Sequence, residues 1–120
     1  MASTDLPRRG EIWLVAFGAA RKGGPGKNHP AIVISPDKLL AGGEDELVVT
    51  VPLSSSRTPS RLRPPVPLET GIDAESAAIP RGIRGVSRSR LLRRIGEVEP
   101  ETLAAVERAL RTVLALDAAG

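Results

Sequence analysis

A chain of 120 residues without cysteine is sized for one domain around one core, and it can build neither a disulfide framework nor a thiolate metal site. No stretch reaches the roughly 18 apolar residues of a membrane-crossing helix, and Met1–Arg9 lacks the apolar run of a secretory leader, so a cytoplasmic protein with no membrane partner is expected. The net charge of +3 is unevenly spread: Arg57–Arg94 holds nine arginines against Glu69, Asp73 and Glu75, while the chain is balanced before this block and acidic after it.

The first element in chain order is Glu11–Phe17, a short β-prone apolar run behind Gly10. Gly18–Pro30 follows as a loop, because Gly23, Gly24, Pro25, Gly26 and Pro30 interrupt any regular element. These glycines lack the Lys-Ser/Thr ending of a phosphate-cradling P-loop, so nucleotide binding is not expected. Ala31–Ser35 reads as a second strand closed by Pro36, and Leu39–Asp45 as a turn through Gly42 and Gly43. Glu44, Asp45 and Glu46 are consecutive carboxylates, which seldom converge on one ion, so they read as a solvated turn rather than a metal site. Glu46–Leu53 is strongly β-prone, with Pro52 marking an edge or bulge.

Ser54–Arg63 is a segment of hydroxyl groups and arginines. Val66–Glu69 and Ser76–Ile79 are expected as short strands around a turn at Gly71, and Ile83–Val86 as another. Ser87–Arg94 is expected as a helical turn and Ile95–Val98 as the last strand. Glu99-Pro100-Glu101-Thr102 then opens a helix, with proline in the first turn and acids at the positive end of the dipole. Leu103, Val106, Leu110, Val113 and Leu114 form its apolar stripe, which must dock on the sheet because an isolated helix of this length is marginal in water. About six or seven short strands and a C-terminal helix predict an α+β fold, a small, partly open β-barrel. The whole of 1–120 is expected to be a single domain, with residues 1–7 flexible and 117–120 a tail.

Composition alone leaves function open. The arginine block fits a phosphate-bearing or acidic partner, and it fits a solvated arginine-rich face equally well. Trp13 and Phe17 are the aromatic residues, too few for a binder that works by stacking many bases. His29 is the chain's histidine, and an imidazole titrates near neutrality, so it could act as a proton acceptor or donor. By spacing alone it is also an ordinary loop residue ahead of a proline, and Ser54-Ser55-Ser56 an ordinary turn.

Four segments narrow this. Arg8–Phe17 (RRGEIWLVAF), His29–Asp37 (HPAIVISPD), Val48–Ser56 (VVTVPLSSS) and Arg88–Leu116 (RSRLLRRIGEVEPETLAAVERALRTVLAL) occur in the order of the MazF/PemK toxin family. The resemblance spans Arg8–Leu116. It implies an SH3-like barrel, a homodimer, and the toxin of a toxin–antitoxin system. The implied activity is a metal-independent, sequence-specific endoribonuclease acting on single-stranded RNA, messenger or transfer, with no cofactor. It also implies an acidic, partly disordered antitoxin that blocks the RNA site. Two departures stand out: His29 occupies the position of the family's usual catalytic arginine, and Arg81-Gly82 replace an acidic–glutamine pair ahead of Ile83.

Cleavage without a metal needs a base for the 2′-hydroxyl proton, a cation or donors for the crowded phosphorane, and an acid for the departing 5′-oxygen; the product is a 2′,3′-cyclic phosphate. In the family register His29 becomes the proton-transfer residue, and Ser54 the hydroxyl that fixes the scissile phosphate. Lys27 and Arg81 are candidates for the permanent charge. Arg21, Lys22, Lys27, Asn28, Ser55, Ser56, Arg57 and Arg81 are the expected RNA-binding residues, with Arg61 and Arg63 as further phosphate contacts. Arg93 and Arg94 are set aside, one of them being expected to face the barrel exterior. Two alternatives stay open: a non-catalytic RNA-binding or antitoxin-binding module, and a gyrase-poisoning toxin on the same fold. The ending Leu116–Gly120, without a tryptophan, argues against the latter.

Overall fold

Side-chain alternation along the first strand, β1 (Glu11–Ala16), divides the interior into two cores. Ile12 joins one buried cluster; Trp13 and Val15 join the other. The same division runs along β2 (Asn28–Val33), where Ile32 faces the first cluster and Ala31 and Val33 the second. The computed structural model describes residues 6–18 and 28–116. The remaining elements are β3 (Leu47–Ser54), β4 (Pro65–Val66), β5 (Ser76–Ala78), β6 (Arg84–Ser87), β7 (Leu91–Glu97) and α1 (Pro100–Val113). They form a curled seven-stranded antiparallel sheet in the order β4-β5-β3-β2-β1-β7, a half-barrel with one C-terminal helix. One edge of β3 pairs with β2; the other is shared by β6, along Leu47–Thr50, and β5, along Leu53–Ser54.

α1 lies where its stripe was expected. Glu99 is the cap, Pro100 opens the helix, and Val106 and Leu110 are buried against Ile12, Ile32 and Val51, with Leu103 packed alongside. Each such aliphatic side chain contributes roughly 1.5–3 kcal/mol by leaving water. The stripe ends early, since Leu114 is exposed beyond the helix terminus.

The two outer strands β4 and β7 do not pair, and a turn closes the gap between them. Leu68–Thr70 is a 3-10 turn capped by Gly71 at φ +101°, and its backbone lies directly on β7. A Cβ on Gly96 would collide with the Thr70 carbonyl oxygen, and one on Gly71 would lie 2.7 Å from the Ile95 carbonyl oxygen. Only glycine permits this contact, which brings the chain after Gly71 beside the middle of β7.

Several boundaries differ from expectation. β2 begins at Asn28, within the expected loop, because β1 offers it a partner: Ala16 pairs with Asn28 and Val15 with His29. Pro30 is tolerated there since pairing with β3 begins only at Ala31. The expected strand Val66–Glu69 is a two-residue bridge followed by the 3-10 turn. The expected helical turn over Ser87–Arg94 is confined to Arg88–Arg90, and β7 takes in the residues from Leu91, drawn into regular structure by pairing with β1 through two register shifts.

Candidate functional site

A cavity of about 400 Å³ opens where the beginning of β2, the end of β3 and the middle of β7 meet. β2 supplies Asn28, His29 and Pro30; the end of β3 and its continuation supply Leu53, Ser54, Ser55 and Ser56. The turn held against β7 contributes Gly71, Ile72, Asp73 and Ala74, and β7 itself contributes Arg93 and Ile95. His29 is fixed opposite Val15 and Ser54 opposite Ala77, so both side chains stand on paired backbone rather than on free loops. The expected convergence of His29 and Ser54, with Asn28, Ser55 and Ser56, is therefore present in the structure.

The hydroxyl cluster is locally ordered. Ser54 Oγ and Ser56 Oγ are 3.0 Å apart, and the Ser56 amide donates to Ser54 Oγ at 3.3 Å. Ser54 is half-buried and His29 likewise, while Arg93 and Asp73 stand exposed at the mouth. Neither Arg93 nor Asp73 has a hydrogen-bond or ion-pair partner among the described residues. The cavity thus holds an imidazole, hydroxyl groups, one guanidinium and one carboxylate, with apolar walls from Leu14, Ile72 and Ile95.

The other expected residues separate. Arg57 and Arg81 line a neighbouring groove of about 450 Å³, together with Arg61 and Arg63. Arg81 therefore does not supply the cavity's charge as expected: it sits on the 3-10 turn Pro80–Gly82, whose contacts run to α1 and β3. Ser56 and Arg57 are consecutive, so cavity and groove adjoin. Arg21, Lys22 and Lys27 lie outside the described residues.

Arg93 and Arg94 were set aside because one of them was expected to face the barrel exterior, and Ser87–Arg94 was expected as a helical turn, which does not say which one. On a strand, adjacent side chains take opposite faces. Arg94 turns to the other side, donating to Glu11 at 2.7 Å, and leaves Arg93 to the cavity. Recognising Leu91–Glu97 as a strand would have found it. Asp73 had no such signal, since only the Gly71–Gly96 contact places it.

The arginine block divides by task. Arg84 stacks on Phe17 at 4.0 Å, Arg88 lies buried over Trp13, Arg90 donates to the Ala16 carbonyl and Arg94 pairs with Glu11 and Glu97. These stabilise the fold. Arg57, Arg61, Arg81 and Arg93 have no side-chain partner among the described residues and face cavities. Exposed guanidinium groups without a carboxylate partner among the described residues form an anion-attracting surface.

Comparison with known proteins agrees with this architecture. A sequence profile described as PemK-like, MazF-like toxin of type II toxin–antitoxin system matches residues 8–114. Endoribonuclease MazF9 of Mycobacterium tuberculosis is 33% identical over 118 residues, covering 92% of this chain and 98% of that protein. MazF from Deinococcus radiodurans superposes with a TM-score of 0.76 at 22% identity, covering 92% of this chain and 98% of that one. An endoribonuclease from a mycobacterial species, solved in complex with its cognate antitoxin, superposes with a TM-score of 0.76 at 21% identity, covering 92% and 97% of the two chains. No helix among the described residues is long and apolar enough to cross a membrane. With profile, relative and fold in agreement over nearly its whole length, the chain belongs to the PemK-like, MazF-like toxins of type II toxin–antitoxin systems.

Proposed function

We propose that this toxin is a sequence-specific endoribonuclease that cuts single-stranded RNA by proton transfer and charge stabilisation, without a metal, and that the cavity at His29 is its active site. The observation that carries the reading is the meeting of His29, Ser54 and Arg93 in one cavity of about 400 Å³. His29 takes the proton of the 2′-hydroxyl, and the 2′-oxygen forms its bond to phosphorus. Ser54 donates to a non-bridging phosphate oxygen and holds the scissile group in line. The Arg93 guanidinium faces the negative charge that grows on the phosphorane, a task for a permanent cation. The bond from phosphorus to the 5′-oxygen breaks, that oxygen leaves with a proton from water at the cavity mouth, and the products are a 2′,3′-cyclic phosphate and a 5′-hydroxyl.

Asn28 and Asp73 are the groups that read the base. A carboxylate accepts from an exocyclic amino group, and an amide both donates and accepts. RNA leaving the cavity past Ser56 enters the groove of Arg57, Arg61, Arg63 and Arg81, whose charge grips flanking phosphates. Arg21, Lys22 and Lys27 add charge from the stretch of chain between β1 and β2. The working form is a cytoplasmic homodimer held in check by an acidic antitoxin.

The experiment is cleavage of a single-stranded RNA by the purified chain in EDTA, with the fragment ends sequenced and their termini identified. Cyclic phosphate ends at a recurring base sequence are expected, and His29→Ala should lose about 10²-fold or more in rate. Retention of full activity by both His29→Ala and Ser54→Ala removes this cavity from the mechanism.

A further inference from the structure

We infer that the His29 cavity carries out a second reaction on its own product: it adds water to the 2′,3′-cyclic phosphate and leaves the cut RNA with a 3′-phosphate. This rests on the reading of the cavity as the cleavage site and extends it by one hydrolytic step. The residue type ahead of Pro30 is what points to it. A guanidinium there could hold charge but would have no proton to return, since it stays protonated throughout the physiological range. An imidazole can give back the proton it takes.

After the cut, His29 holds the proton of the former 2′-hydroxyl, and the cyclic phosphate still lies with Ser54 and Arg93. The departed 5′-oxygen leaves open the position in line with the 2′-oxygen, toward the cavity mouth where Asp73 and Arg93 are exposed to solvent. A water molecule entering there reaches phosphorus from the side opposite the 2′-oxygen. Its oxygen forms the new bond to phosphorus, and one of its protons passes to solvent. The bond from phosphorus to the 2′-oxygen breaks, and that oxygen takes the proton from His29. The products are a 2′-hydroxyl, a singly charged 3′-phosphate and a neutral imidazole ready for the next strand, with one proton released to solvent. This is the first step run backwards with water in place of the 5′-hydroxyl, so it uses the same groups in the same places.

The frame suits two consecutive reactions on one phosphate. Ser54, His29 and Arg93 come from β3, β2 and β7, which with β1 are four neighbouring strands of the sheet. Leu14 of β1 pairs with Pro30 on one side and with Arg93 on the other, so β1 ties the neighbour of His29 to Arg93. Ser54 Oγ is held by the Ser56 amide at 3.3 Å. Groups fixed on paired strands need no rearrangement between the two steps. Arg93, without a partner among the described residues, can face the charge of the second phosphorane as it faces the first.

The test follows RNA ends over time by mass spectrometry with the full chain. One substrate is an intact single-stranded RNA. The other is a pool of fragments ending in 2′,3′-cyclic phosphates, made by partial alkaline hydrolysis, which needs no cutting. Cut sites are expected to show cyclic ends first and 3′-phosphate ends later, and the premade cyclic ends are expected to gain one water and give the 3′-phosphate alone. Uncatalysed ring opening gives 2′- and 3′-phosphates together, so the isomer, read by chromatography of the terminal nucleotide, separates the cavity's reaction from the buffer's. His29→Arg should lower the conversion of cyclic ends about 10²-fold, at whatever rate it still cuts, and purified alongside it controls for a contaminating ribonuclease. A mixture of isomers forming at the buffer rate, or conversion by His29→Arg at the wild-type rate, overturns the inference. Cyclic ends that persist with the wild-type chain also overturn it, and where that chain cuts RNA they leave the nuclease reading standing. Conversion of premade ends by a chain that cuts no RNA does the reverse. The isomer made by the wild-type chain decides without any variant, so a His29→Arg protein that fails to fold leaves the test intact.

Discussion

Glu11→Ala is the substitution that most directly tests how β1 and β7 are tied together beside the His29 cavity. The Glu11 side chain is 10% exposed, yet its carboxylate is fully employed. Oε1 accepts from the Arg8 amide at 2.8 Å and from the Trp13 indole N–H at 3.0 Å; Oε2 accepts from Arg94 Nε at 2.7 Å. Removing it orphans the indole donor of a tryptophan with no solvent exposure. A buried donor left unpaired costs about 1–3 kcal/mol, and about 2 is reasonable here because water cannot reach it. The Arg8 amide adds about 1 kcal/mol at most, being part-buried. Arg94 is 45% exposed and rehydrates, so its ion pair adds only a few tenths of a kcal/mol, roughly 0.5. The total is about 3 kcal/mol. For 120 residues, an unfolding entropy of about 2.1 cal/mol/K per residue turns this into a fall in Tm of about 12 °C. Glu11→Gln keeps one acceptor and should lose about half as much. Calorimetric unfolding of the three proteins reads the effect. A fall below about 4 °C for the alanine variant, or a glutamine variant as damaged as it, refutes the account of Glu11 as a shared buried acceptor.

Other expectations concern the cavity and its frame. Arg93→Ala should lower kcat by about 10²-fold with a smaller change in KM, and Arg93→Lys should recover part of the loss, because the charge matters most at the transition state; steady-state kinetics with kcat intact would remove Arg93 from the phosphorane. Gly96→Ala should cost about 3 kcal/mol or more in urea unfolding, since both partners in the collision with the Thr70 carbonyl are backbone; a cost under about 1 kcal/mol would mean the turn does not close the barrel. Asp73→Asn should change which base sequences are cut while leaving the rate at the best site within about tenfold; an unchanged fragment pattern would exclude it as a base reader.

What the sequence made legible was the part governed by local chemistry. The Glu99–Thr102 start and the Leu103, Val106, Leu110 stripe specify α1 without help from the rest of the chain. The runs at Ile12–Val15 and Val48–Leu53 are β-prone wherever they are placed. His29-Pro30 and Leu91–Arg94 were not legible in this way. Neither has a strand pattern, and both are drawn into the sheet by pairing with β1, on its two opposite edges. One error had a functional cost, because Arg93 points into the cavity only if Leu91–Glu97 is extended. The proximity of His29 and Ser54 came from the family register, and Asp73 from a glycine-to-backbone contact that no local pattern announces.

The departure at His29 and the position of Arg93 are best understood together. An arginine ahead of Pro30 would bring a permanent positive charge to the phosphate but a poor proton acceptor, since its guanidinium stays protonated throughout the physiological range. An imidazole there reverses the exchange: proton transfer becomes easy near neutrality and the permanent charge is lost. Such a replacement is tolerable only if another cation faces the same phosphate. Arg81 cannot serve, because its groove lies beyond Ser56. In the proposed mechanism Arg93 serves, since it lines the cavity with His29 while its neighbour Arg94 pairs with Glu11 on the opposite face of β7. The buried carboxylate of β1 thus does two things at once. It satisfies Trp13 in the core, and it holds Arg94 on the face of β7 opposite to Arg93, the guanidinium that lines the cavity with His29.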